Sequence, residues 1–112
     1  MTLFQKIAAR EIPAKIVLEG DDVLAFHDIN PQAPVHVVIV PKKLIPRLAE
    51  AADDDGPLLG KLLLAAKKVA EQLDLVQSGY RIVINNGRDA GESVPHLHVH
   101  LLAGRALAWP PG

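Results

Sequence analysis

Cysteine is absent from the 112 residues. That excludes disulfides, thiolate metal sites and a cysteine nucleophile. Long apolar runs are absent too. No stretch approaches the ~20 residues of a membrane-spanning helix, and MTLFQKIAAR lacks the apolar centre of a signal peptide. A cytoplasmic protein with no membrane partner is therefore expected. A dominant charge is also missing: 12 Lys and Arg stand against 13 Asp and Glu, for a net charge of −1. Coating a polyanion needs clustered Lys and Arg, so nucleic acid is not an expected partner. A small nucleotide, which needs only a few donors, stays open. There is no internal repeat and no low-complexity segment.

What is there fits one domain, residues 1–112, ending in a Pro-rich tail, residues 106–112. Leu3, Phe4, Ile7 and Ala8 fall at helical spacing and predict a short helix over residues 2–10, ended by Pro13. AKIVLEG and VLAFHDI read as a strand pair around Gly20-Asp21-Asp22. VHVVIVP, residues 35–41, is β-branched, bounded by prolines and too short for a helix, which predicts a central strand. Asp53, Asp54 and Asp55 are candidate caps for a long helix with Pro57 in its first turn. Its apolar stripe runs through Leu58, Leu59, Leu62, Leu63, Ala66, Val69, Ala70 and Leu73. YRIVINN, residues 80–86, and then SVPHLHVHLLAGR, residues 93–105, supply two more strands. The fold class is α+β: an antiparallel sheet of about five strands with one long and one short helix, expected as two layers with the helices on one face.

SVPHLHVHLLAGR carries the chemistry. Side chains alternate across a strand, so His96, His98 and His100 share one face and Leu97, Val99 and Leu101 the other. Three readings follow. The plain one is a strand with a polar outer face, although Thr, Lys or Glu would solvate more easily than three imidazoles. The second is a metal site, since neutral imidazole is a common ligand. The third is covalent catalysis, in which a neutral imidazole attacks phosphorus and a neighbour holds an oxygen or gives a proton. No carboxylate stands beside the histidines. The loop before them, NNGRDAGES, offers the donors Asn85, Gly87, Gly91 and Ser93, which suit an anionic oxygen. It lacks the G-K-[ST] of a P-loop. Its donor character favours phosphate over metal.

His96-Leu97-His98-Val99-His100-Leu101-Leu102 resembles the signature of the histidine triad (HIT) family, His-φ-His-φ-His-φ-φ with φ apolar. FQKIAAREIPAKIVLEGDDVLAFHDINPQAPVHVVIVPKK, DDDGPLLGKLLLAAKKVAEQLDL and the ending WPPG are similar to the Hint branch, the histidine triad nucleotide-binding proteins. The resemblance implies a HIT-like fold and a homodimer whose two sheets continue across the interface. It implies hydrolysis of purine nucleoside 5′-phosphoramidates, such as AMP-NH2 or an AMP–lysine adduct, through a nucleotidyl-histidine, with no metal and no cofactor. His98 would be the nucleophile and His100 would contact the phosphate. His96 and His36 would align the nucleophile. Ser93 would bond the leaving-group side; Asn85, Gly91 and Val94 would lie about the phosphate. Asp28 would take the ribose hydroxyls, and Phe4, Ile7, Phe26, His27, Ile29 and Val38 would surround the base. Pro95 and Ala103 depart from the usual Hint pattern, where a bulky residue and Gly are common.

Read without the resemblance, several of these are ordinary. Phe4 and Ile7 fit a core stripe, Asp28 a strand-end turn, and His27 a surface histidine. Asn85 and Ser93 fit a turn. Trp109, the single Trp, sits in the tail; the expectation is that it packs near a partner subunit and shapes the leaving-group end of the site. The competing functions are a nucleotide-binding regulatory module with incidental hydrolysis, a metal-dependent hydrolase, and a dinucleoside polyphosphate hydrolase of the same family.

Overall fold

Apolar residues at consecutive positions, rather than alternate ones, decide the layering. In β2 (Val23–His27) and β3 (Val35–Pro41) almost every side chain is buried. Period-two geometry then sends apolar groups to both faces of the sheet. Val23, Ala25, Val37 and Ile39 join one core cluster, and Leu24, Phe26, Val38 and Val40 join the other. Both faces therefore need a cover. In the computed structural model, which describes residues 1–112, each face receives its own helix.

The sheet has five antiparallel strands in the order β1-β2-β3-β5-β4. The outer strands are β1 (Ile16–Glu19) and β4 (Arg81–Val83), and β5 (Val99–Ala103) lies between β3 and β4. Helix α2 (Gly56–Gln72) closes one face, burying Leu62, Ala65, Ala66, Val69 and Ala70 against Val37, Ile39, Val99 and Leu101. Helix α1 (Leu3–Ala8) sets Phe4 and Ile7 on the opposite face, over Leu24, Phe26, Val38 and Val40. The expected five strands and two helices are present. The expected placement of both helices on one face is not, because β2 and β3 are apolar on both sides.

Three local differences matter. The strand expected to carry all three histidines begins only at Val99, so His96 and His98 lie in the extended segment leading into it. The alternation survives, with Leu97 buried in the α2 core beside Val99 and Leu101. Asp55 does not cap α2 with its side chain. It accepts the Ala52 N–H at 2.9 Å, closing a one-turn helix over Asp53–Asp55, and pairs with Lys43 at 2.6 Å. Leu63 faces out of the core, among the exposed apolar residues. At the end of β5, Gly104 (φ +94°) turns the chain where a Cβ would lie 2.7 Å from Pro34, a backbone that excludes other residues.

Candidate active site

The short α1 covers only part of its face, and the uncovered part is a cavity of about 490 Å³. Its walls include Phe4, Ile7, Phe26 and Val38 on the apolar side, His27, Asp28 and Ile29 at the end of β2, and Gly91, Ser93 and Val94 from the loop. His36, His98 and His100 also line it. Phe4 and Ile7 are thus core and cavity wall at once. Asp28 is both turn former and wall: one carboxylate oxygen accepts the Asn30 N–H at 2.8 Å. Ile29 is 91 % exposed, a rim residue with no cover of its own. Asn85 and Trp109 do not line the cavity. His96 does not either; it lies behind the site, 1 % exposed.

Fixed backbone partners determine where the imidazole protons sit. A carbonyl can only accept and a main-chain N–H can only donate. His98 Nδ1 lies 2.7 Å from the His96 carbonyl, so it carries the proton and donates it. The lone pair of His98 is therefore on Nε2. His96 Nε2 lies 2.7 Å from the Pro41 carbonyl and donates to it, leaving Nδ1 to accept from the Thr2 hydroxyl at 3.0 Å. His36 Nδ1 accepts the Gln32 N–H at 3.1 Å, which places its proton on Nε2. That proton is donated to His100 Nδ1 at 2.9 Å, so His100 carries its own on Nε2. The resemblance implies that His36 helps align the nucleophile. In the structure the partner of His36 Nε2 is His100, because their adjacent antiparallel strands set the two side by side.

Burial favours the neutral form of His36, His96 and His100. Desolvation lowers the pKa of His36, only partly offset by Asp28, whose carboxylate is 3.5 Å away. It lowers His96, partly offset by the bond to Pro41. It lowers His100 most, to about 4, helped by the neighbouring His98 and His36. Neutral rings are poor proton sources near pH 7, so the expectation that a neighbouring imidazolium supplies the proton does not suit His36, His96 or His100.

Asp28, His36 and His100 bring ligand atoms within 4.8 Å of one another. The fold thus supplies the carboxylate that the local sequence lacks. The outer contacts are wrong for a metal, however. A ligating histidine donates its other N–H to an acceptor, whereas His36 Nδ1 accepts from Gln32. Binding a cation through Nε2 while keeping that bond would require an imidazolate.

Pro95 sits in a tight turn closed by the His96 N–H to the Val94 carbonyl at 2.8 Å, a γ-turn whose central residue suits the φ of proline. Ala103 points into the α2 core, away from the site. Thr2, Gln32 and the Pro41 carbonyl were not foreseen as site groups. Each lies far in sequence from the histidine it holds or looks like an ordinary cap, loop or strand residue.

A cavity of this size, lined by three histidines and a carboxylate, has the dimensions and polar groups of a small-ligand site. The chain belongs to the HIT domain family, whose model matches residues 9–107. It is 56 % identical over 111 residues to an uncharacterised HIT-like protein from Synechocystis, covering 99 % of this chain and 96 % of that one. The crystal structure of a HIT family hydrolase from Legionella pneumophila Philadelphia 1 superposes with a TM-score of 0.97 at 49 % identity, covering 100 % of both chains. A histidine triad nucleotide-binding protein from Candida albicans superposes with a TM-score of 0.84 at 34 % identity, covering 98 % of this chain and 83 % of that one.

Proposed function

We propose that the protein is a purine nucleoside phosphoramidase that works without a metal. The observation that carries this reading is His98. Its Nδ1–H is tied to the His96 carbonyl at 2.7 Å, which leaves Nε2 with a free lone pair on a ring lining the cavity. Nε2 attacks the α-phosphorus and an N–P bond forms as the P–N bond to the leaving amine breaks. Water then attacks phosphorus, breaks the His98–phosphorus bond and releases the nucleoside monophosphate. His100, protonated on Nε2 and held by His36, donates to a phosphate oxygen. Ser93 hydrogen-bonds the leaving nitrogen, which takes its proton from solvent. Gly91 and Val94 border the phosphate. The free oxygen of Asp28 takes the ribose hydroxyls, and Phe4, Ile7, Phe26, His27, Ile29 and Val38 hold the base. The names of the Legionella and Candida relatives, a hydrolase and a nucleotide-binding protein, support the same reading.

A homodimer belongs to this reading. The outer strand β4 is open, and beside it Leu48, Leu59, Leu63 and Ile84 line an apolar groove. Arg81 of β4 holds the tail, donating to the Ala108 carbonyl at 3.0 Å and lying 5.8 Å from the Trp109 ring centre. Trp109 is 80 % exposed there and is free to meet a second subunit near the leaving-group end of its site. Light scattering should give twice the 12.1 kDa chain mass.

The test is AMP release from adenosine 5′-phosphoramidate, with and without EDTA, in wild type and His98→Ala. Turnover that ignores EDTA and vanishes in the variant is expected. Loss with EDTA would mean metal chemistry. Nucleotide binding without turnover would mean a binding module.

A further inference from the structure

Thr2 has two jobs in one hydroxyl. It accepts the Gln5 N–H at 3.1 Å, and the Gln5 side chain accepts the Thr2 N–H at 2.8 Å, the reciprocal pair that starts α1. The same oxygen lies 3.0 Å from His96 Nδ1. Because His96 Nε2–H is committed to Pro41, Thr2 must be the donor to Nδ1.

We infer that Thr2 is a positioning residue for the reaction: it locks the His96 ring, and through the His96 carbonyl it sets the tautomer and direction of His98. The inference rests on the phosphoramidase reading for its effect on rate, but the hydrogen bonds stand without it.

The His96 ring is gripped at both nitrogens, by Thr2 from α1 and by Pro41 from the end of β3. His96 is buried, so an unmet Nδ1 has no water to turn to. Without the Thr2 hydroxyl, the ring relieves Nδ1 by flipping, and a flip breaks the bond to Pro41. The His96 main chain, whose carbonyl accepts the His98 Nδ1–H, then loses its side-chain anchor. Phe4 follows two residues after Thr2 and packs edge-on against both rings, at 5.8 Å from His96 and 4.9 Å from His98. Helix α1 thus braces the nucleophile from behind as well as walling the cavity.

Thr2→Val removes the hydroxyl at nearly constant shape, Thr2→Ser keeps it, and Gln5→Ala weakens the start of α1 without touching His96. The expected result is a kcat lowered about tenfold in Thr2→Val, the scale of one lost buried hydrogen bond, with KM nearly unchanged. Thr2→Ser should restore kcat, and Gln5→Ala should keep it. Nitrogen-15 shifts of His96 should show one Nε2–H tautomer in wild type and Thr2→Ser, and a mixture in Thr2→Val. Unchanged His96 shifts in Thr2→Val would overturn the inference, as would an equal kcat loss in Gln5→Ala, which would point to fraying of α1. Absence of turnover in wild type would instead sink the phosphoramidase reading, while the His96 shifts would still report on Thr2.

Discussion

The two faces of the sheet use the same strands to opposite ends. On the α2 face, Val37, Ile39, Val99 and Leu101 meet a helix of 17 residues and every position is closed. On the α1 face the helix has 6 residues, and His36, His98 and His100 line the space it leaves open. A long cover makes a core; a short cover leaves a pocket. Stability therefore concentrates on one face and chemistry on the other.

Paired substitutions test this division most sharply. His98→Ala should lower turnover of a nucleoside phosphoramidate by on the order of ten thousandfold or more, the scale of a lost nucleophile. Its urea midpoint should stay near wild type. Leu101→Ala, on the closed face, should do the reverse. It should lose about 2–5 kcal/mol of stability in urea unfolding, while the folded fraction keeps its kcat. A His98→Ala protein that unfolds as readily as Leu101→Ala would break the comparison.

His36→Ala should lower kcat by about a hundredfold, since His100 loses the donor that fixes its proton on Nε2. Steady-state kinetics would read this, and an unchanged kcat would mean that His100 needs no such support.

Acid should act through the histidine face. His36, His96 and His100 have pKa values lowered by burial from an ordinary 6.5. As pH falls below 6.5, the unfolded chain takes up protons that the folded chain refuses, so stability drops. For His100 the loss continues until the folded ring titrates at about 4. Urea midpoints measured across this range should show a shallower slope in His100→Gln than in wild type. The smallest effect should come from the cavity rim: Ile29→Ala should raise KM about threefold with kcat unchanged, as uniform binding requires.

Much of this was legible in the order of residues. Period-two alternation at Leu97, Val99 and Leu101 assigned the histidines to one side, and that survives even though β5 begins only at Val99. The HIT signature pointed to the family that the comparisons show. The apolar runs of β2 and β3 also held the information that both faces are covered, which the expectation of two layers with both helices on one face passed over. Asp28 was a candidate in the sequence, yet its approach to His36 and His100 needs the turn after β2 to meet β3 and β5.

By itself, the sequence determined the kinds of group available: no thiol, a set of imidazoles, apolar strands, and a helix long enough to close one face. These follow from side-chain chemistry and from periodicities of a few residues. Only the tertiary structure decided which nitrogen of each ring carries the proton. That depends on single partners, the carbonyls of His96 and Pro41, the Gln32 N–H and the Thr2 hydroxyl. Thr2 and His96 are 94 residues apart in the chain, and a 3.0 Å hydrogen bond exists only once α1 has packed on the sheet.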